Sequence, residues 1–226
     1  MVYERHAVIS PESHRRIVRR YGSAMEITTP RGPARVDLEE PADPRLLLVL
    51  THGSAGGVDA PDLLAVRDAA LAAGFGVARV TQAFRLAGAR APGSPARQDE
   101  AWEAVLSELR AHRPGLPLVQ GGRSNGARVA CRTAAAVGAA AVVALAFPLH
   151  PPGRPGTSRA GELRGAGVDV LVVNGDRDPF GVPDAADAAR LVVLPGEGHD
   201  LKRDPARVGG IVAEWLGHYA LTREPS

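Results

Sequence analysis

Short runs of apolar, often β-branched residues alternate along most of the chain with alanine-rich stretches of helical period. The runs at 45–51 (RLLLVLT), 76–81 (GVARVT), 116–121 (LPLVQG), 139–147 (AAAVVALAF), 168–174 (VDVLVVN) and 190–194 (RLVVL) are mostly apolar rather than strictly alternating, the pattern of strands buried on both faces. Helices are predicted near 60–73, 97–111, 125–137, 183–189 and 205–221. Pro61 and Asp62 suit a first helical turn, Gly74 a helix end, and Asp204-Pro205 an N-cap followed by proline at the first helical position. This alternation predicts the α/β class, a mostly parallel, doubly wound sheet with crossover helices. Residues 25–40 (MEITTPRGPARVDLEE) read differently, as two short strands around a proline-flanked turn, and predict an antiparallel edge at the N-terminal side of the sheet. Residues 149–167, rich in glycine and proline, predict a surface excursion. With no repeat and no long linker, residues 24–226 read as one domain and 1–23 as an extension to which no role is assigned.

The 226 residues suffice for one sizeable core, and a hydrophobic share of 45% with 23% charged residues is ordinary for a globular chain. The net charge of +2 comes with a single lysine, Lys202, among many arginines. That bias, together with the alanine richness, reads as genome composition rather than a nucleic-acid surface, and Arg15, Arg16, Arg19 and Arg20 read as a solvated terminus. The first residues lack an uninterrupted apolar segment, which predicts no export signal. The apolar stretch at 138–148 is far shorter than the ~20 residues of a membrane span. One cysteine, Cys131, excludes an intrachain disulfide and a multi-thiolate zinc site. A soluble cytoplasmic protein is expected, with no nucleic-acid or membrane partner.

Chemistry concentrates at four strand ends. Gly122-Arg123-Ser124-Asn125-Gly126 follows an apolar run and precedes a helical one. This G-x-S-x-G pattern is that of a strand-to-helix turn so tight that its serine is strained and its neighbours must lack side chains. A phosphate-binding turn is the competing reading, but no G-K-[ST] follows and the glycine spacing does not match a dinucleotide fingerprint. The run at 45–51 ends in Thr51-His52-Gly53-Ser54-Ala55-Gly56-Gly57, a glycine loop whose Ser54 or Ala55 amide, with that of Asn125, would stabilise an oxyanion. His52 reads as a residue bracing this loop and is also a candidate at the substrate side.

A serine hydroxyl needs a base, and the base needs an acid to fix its tautomer. Asp178, in Gly175-Asp176-Arg177-Asp178-Pro179-Phe180-Gly181, is the expected acid, with Asp176 as the alternative; His199, in Pro195-Gly196-Glu197-Gly198-His199-Asp200, is the expected base. His6, His14, His112 and His218 read as surface residues. His150, within Pro148-Leu149-His150-Pro151-Pro152, could contact substrate or brace a proline-rich loop. The chain order Ser, Asp, His, each after its own strand, is that of the α/β-hydrolase fold.

The segments THGSAGG, GGRSNGARVA, FPLHPPGRP, NGDRDPFG and GEGHD resemble a small bacterial branch of the α/β hydrolases. That branch is related to the hydrolase domain of a vertebrate NSL histone-acetyltransferase subunit and to dienelactone-hydrolase-like proteins. The resemblance spans roughly residues 27–221. It implies a compact core without a large lid and a triad of Ser124, Asp178 and His199. Dienelactone hydrolases proper carry cysteine where this chain has Ser124, so their chemistry does not carry over.

The expectation is a serine hydrolase, carboxylesterase-like or thioesterase-like, that cleaves a small ester or thioester through an acyl-enzyme and needs no metal or other cofactor. A catalytically idle α/β-hydrolase domain acting as a binding module is the alternative. Phe84 and Phe180 are the clearest aromatic candidates for the pocket, and Arg123 joins them on the substrate side. The pocket is expected to suit small acyl groups. Arg85, Arg90, Arg123 and Arg154 lie near the expected rim, where they read as a solvated face with an anionic substrate as the alternative. Cys131 reads as a packed core residue.

Overall fold

The computed structural model describes residues 21–220. Its strands are β1 (Tyr21–Thr29), β2 (Gly32–Glu40), β3 (Leu47–Thr51), β4 (Gly76–Thr81), β5 (Leu118–Arg123), β6 (Ala141–Leu145), β7 (Val170–Gly175) and β8 (Arg190–Leu194). Helices α1 (Pro61–Ala72), α2 (Ala83–Leu86), α3 (Pro95–His112), α4 (Asn125–Thr133), α5 (Ala160–Arg164) and α6 (Pro205–Ala220) connect or flank them. The strands form one sheet in the order β1-β2-β4-β3-β5-β6-β7-β8. β1 and β2 pair antiparallel, β2 joins β4 antiparallel, and every later pairing is parallel.

β3 shows why the central strands are mostly apolar. Leu48 and Leu50 pack on one face with Leu63 and Val66 of α1 and Val208, Val212 and Trp215 of α6. Leu47 and Val49 point to the other face, against Trp102, Val105 and Leu106 of α3. A strand covered on both sides turns both of its alternating faces to the core, so the few polar residues there need buried partners, as Gln120 of β5 finds in Trp102 and the Ala130 carbonyl. Further along the sheet, Ala127 and Ala130 of α4 cover Val142, Ala144 and Val172.

This topology fixes where a site can lie. From β3 the chain steps outward to β4, then crosses back to β5 on the other side of β3. The carboxyl ends of β3 and β5 therefore flank the point where strand order reverses, and loops leaving there bound a crevice. β7 and β8 run parallel to them, so their following loops open on the same rim.

The architecture agrees with the α/β expectation, including the antiparallel edge, and departs from it in detail. Both strands of the antiparallel hairpin have nine residues, longer than expected, and β1 already includes Tyr21–Ser23, which the sequence places in the extension. The remainder of that extension, with His6, His14 and the four arginines at 15, 16, 19 and 20, lies outside the described residues, as does Leu221. The helix expected at 183–189 is a single 3-10 turn, Ala185–Asp187, closed by a reciprocal cap between Asp184 and Asp187. α4 ends at Thr133 rather than 137. α2 and α5 were not predicted, and α5 lies inside the expected surface excursion. Asp204 caps α6 as expected, its Oδ1 accepting from the Arg207 amide at 3.1 Å. No helix among the described residues is long and apolar enough to cross a membrane.

Candidate active site

Ser124 stands between β5 and α4 with φ 55° and ψ −113°, a conformation costly for any residue with a side chain and sustained only by its surroundings. Those surroundings are backbone. A Cβ on Gly122 would lie 2.6 Å from the Thr51 carbonyl oxygen and 2.9 Å from the Gly126 carbonyl carbon; one on Gly126 would lie 2.8 Å from the carbonyl oxygens of Thr51 and His52. The end of β3 is thus pressed directly onto the turn, and only glycine fits at either flank. The Ser124 amide donates to Leu145 of β6 at 2.9 Å, which ties the turn to the sheet. Asn125 opens α4, where amides have no partner within the helix. Its side chain donates to Gln98 Oε1 of α3 at 2.7 Å, anchoring the helix start.

His199 reaches this serine from the loop between β8 and α6. Its Nε2 lies 2.9 Å from Ser124 Oγ and its Nδ1 2.8 Å from Asp178 Oδ2. The Asp178 carboxylate is fully buried, and its Oδ1 accepts from the Phe180 amide at 2.9 Å. An acceptor-only carboxylate at Nδ1 fixes the neutral imidazole with its proton on Nδ1, leaving Nε2 to accept from the hydroxyl. The ring of Phe180 meets the imidazole edge to face at 4.5 Å. Asp176, the alternative acid, accepts instead from the Gly196 amide at 2.7 Å in an exposed turn.

A cleft of about 310 Å³ opens in front of the hydroxyl, walled by Ser54, Ala55, Asn125, Phe180 and His199, and by Arg123, Arg128 and Arg159. Ser54 and Ala55 stand there because Arg85 Nη2 draws in the carbonyls of Ser54 at 2.6 Å and Gly56 at 3.1 Å. Arg85, expected on a solvated face, holds this loop.

Three candidates do not reach the cleft. His52 is fully buried; its Nδ1 donates to the Gly53 carbonyl at 2.7 Å and its Nε2 accepts from the Gln82 amide at 3.1 Å. Burial lowers its pKa, assisted by the charge of Arg85, so it is a neutral brace of the loop. Phe84 packs edge-on against His52 at 5.6 Å and lines a separate groove of about 240 Å³ with Trp102 and Val105. His150 braces its own loop: Nδ1 lies 3.1 Å from the Thr157 carbonyl, its amide donates to Phe180 O at 2.9 Å, and its ring occupies the space beside Gly181. Proline on both sides leaves that backbone little else to do. Arg123 does line the cleft, although its guanidinium is turned to the protein: Nη2 donates to the His199 carbonyl at 3.2 Å and Nε lies 3.4 Å from Asp62 Oδ2.

Arg128 and Arg159 were not found in the sequence. Arg128, one turn beyond Ser124, could have been read from its spacing; it makes a two-pronged ion pair with Glu162 at 2.8 and 2.6 Å. Arg159 donates to the carbonyls of Pro148 and His150, and nothing in an arginine-rich sequence marks it. No Asp or Glu lines this cleft. Among the described residues no cluster of three or more His, Cys, Asp or Glu is arranged to hold a metal ion.

The fold resembles that of solved structures of α/β hydrolases. A serine hydrolase without a lid from Xanthomonas campestris superposes with a TM-score of 0.71 at 24% identity, over 90% of this chain and 97% of that one. The esterase Est1E from Butyrivibrio proteoclasticus gives 0.72 at 16% identity, over 88% and 99%. A dienelactone hydrolase from Anabaena variabilis gives 0.71 at 18% identity, over 88% and 98%. No curated protein sequence matches significantly. The family model described as an alpha/beta hydrolase domain matches residues 44–207, and the chain therefore belongs to the α/β-hydrolase family.

Proposed function

We propose that this protein is a serine esterase that cleaves small carboxylic esters through an acyl-enzyme on Ser124. The observation that carries the reading is the continuous relay from Ser124 Oγ through His199 to the buried Asp178, with contacts of 2.9 and 2.8 Å, at the floor of a cleft. In this reading His199 Nε2 takes the hydroxyl proton as Oγ attacks the carbonyl carbon, and Asp178 stabilises the imidazolium that forms. The negative charge on the carbonyl oxygen is met by the Asn125 amide at the start of α4 and by the Ser54 or Ala55 amide. Collapse passes the proton to the leaving alcohol. Water, deprotonated by the same imidazole, then releases the acid. A thioester would follow the same steps.

The cationic wall supports a narrower choice of substrate. Arg128 is balanced by Glu162 and Arg123 faces Asp62, whereas Arg159 bonds only backbone carbonyls. Its pKa is lowered by burial and then by the charge of Arg128, opposed in part by Glu162, which is already paired with Arg128, the condition of a guanidinium with no counter-ion of its own. An ester that also carries a carboxylate would supply one. Steady-state hydrolysis of p-nitrophenyl esters of increasing chain length tests the reading. Turnover of short esters that vanishes in Ser124→Ala supports it; a folded wild-type protein inert to all of them would identify the idle binding module instead.

A further inference from the structure

Asp62, in the first turn of α1, is completely buried beneath the cleft, and neither of its carboxylate oxygens makes a hydrogen bond of ordinary geometry. Its partner is Arg123, whose Nε lies 3.4 Å away and likewise lacks a hydrogen bond. Arg123 precedes the nucleophile and touches two loops that the chemistry requires. Nη2 donates to the His199 carbonyl, and Nη1 lies beside Gly56, 3.6 Å from where a Cβ would stand. One guanidinium therefore spans the nucleophile strand, the loop of the base and the loop of Ser54 and Ala55.

Resting on the esterase reading above, we propose that Arg123 and Asp62 are positioning residues, a buried ion pair that clasps the His199 loop and the Ser54–Gly57 loop onto the nucleophile turn. Such a pair is a poor choice for stability, because removing two charges from water costs more than an imperfect contact returns. An apolar residue in the first turn of α1 would serve the core better. Retaining a carboxylate there is accounted for by the orientation it imposes on Arg123. Burial, opposed by Arg123 and the first-turn amides and reinforced by Asp200, raises the Asp62 pKa to about 6. Asp200 is itself paired with Lys202 at 2.6 Å, so Arg123 is the cation facing Asp62 directly. The sign follows from the raised value. The folded protein binds this proton more tightly than the unfolded chain does, so the carboxylate's contribution to stability is best at low pH and is lost as pH rises through about 6. The clasp exists only above that pH. Activity and stability therefore respond to this one group in opposite directions.

The test compares wild type with Asp62→Asn, Arg123→Ala and Arg123→Lys, using p-nitrophenyl acetate, a neutral ester, between pH 5 and 8.5. Asp62→Asn, which mimics the protonated acid, should lower kcat roughly 10-fold at pH 8 with KM changed less than about 3-fold, the signature of misplaced groups rather than lost substrate contact. The ratio of wild-type to variant rates should close toward unity below pH 6. The variant should melt at or above the wild-type temperature at pH 8. Arg123→Ala should lose roughly 10- to 100-fold in kcat. Arg123→Lys should recover part of it, since one ammonium cannot span both contacts. A pH-independent rate ratio, unchanged kcat in both Asp62→Asn and Arg123→Ala, or an Asp62→Asn protein whose melting temperature falls along with its rate would overturn the clasp while leaving an active wild type, and hence the esterase reading, intact. Should Asp62→Asn not fold, the pair is structural and the proposal fails. A wild type without esterase activity overturns both readings.

Discussion

The nucleophile turn and the histidine loop meet at 2.9 Å, yet they are held by different forces. Around Ser124 the positions are set by backbone pressed on backbone: Gly122 and Gly126 against the carbonyls of Thr51 and His52, with the Ser124 amide tied to β6. Around His199 the chain is held largely by polar side chains. Buried Glu197 accepts from the Asp204 amide at 2.7 Å and the Arg203 amide at 3.3 Å, and Arg123 holds the His199 carbonyl. Backbone is pressed close there too, since a Cβ on Gly175 would lie 2.2 Å from the Glu197 carbonyl oxygen, but the carbonyl of His199 itself is reached only by a guanidinium. Steric placement is indifferent to pH and salt, whereas placement by charges is not. Ser124, the proposed nucleophile, is therefore a fixed point and His199, its proposed base, an adjustable one.

The largest effects should come from the relay itself. Ser124→Ala and His199→Ala should each reduce kcat by roughly 10³-fold or more, and Asp178→Asn, which offers the imidazole a donor or a weaker acceptor, should approach the same loss. Folding, followed by circular dichroism, should be retained in all three. Gly126→Ala separates the two regions. It forces a methyl group to within 2.8 Å of two carbonyl oxygens and should destabilise the fold by about 1–3 kcal/mol in urea unfolding, with activity lost through the serine's geometry. Glu197→Gln should instead leave stability within about 1–2 kcal/mol of wild type while raising the sensitivity of turnover to salt, because the histidine loop would then depend more on Arg123. Arg159→Ala should lower the preference for p-nitrophenyl hydrogen succinate over p-nitrophenyl butyrate by about 10-fold, a charge-assisted contact's worth. The smallest effect belongs to Asp176→Asn, whose exposed turn bond to Gly196 should cost no more than about 2-fold in kcat. A loss at Asp176 larger than that at Asp178 would reverse their assignment.

The contrast also explains what the sequence could tell. The five inner parallel strands were legible because two-sided burial leaves apolar runs; β8 has the same apolar composition although it lies at the sheet edge with Val193 exposed. The elbow was legible because backbone packing demands glycine on both sides of Ser124. The order of serine, acid and base along the chain then located Asp178 and His199. What charges hold was harder to read. Asp62 in a first turn follows the ordinary preference for acids at helix starts, so its burial leaves no mark on the sequence. Arg159 is one arginine among many. α5 is framed by glycine and proline, which signal a loop, although packing of Leu163 into the core makes the segment helical. His52, His150 and Phe84 lie next to the right loops, but proximity along the chain does not say which way a side chain turns, and each is turned away from the cleft.

The central claim is that the Ser124 hydroxyl is activated by His199. A fluorophosphonate, followed by intact mass and peptide mapping, tests it without any assumption about the natural ester. The account predicts a single adduct on Ser124 in the wild-type protein and none, over the same time, in folded His199→Ala. Absence of an adduct on folded wild type, or undiminished labelling without the imidazole, would contradict it.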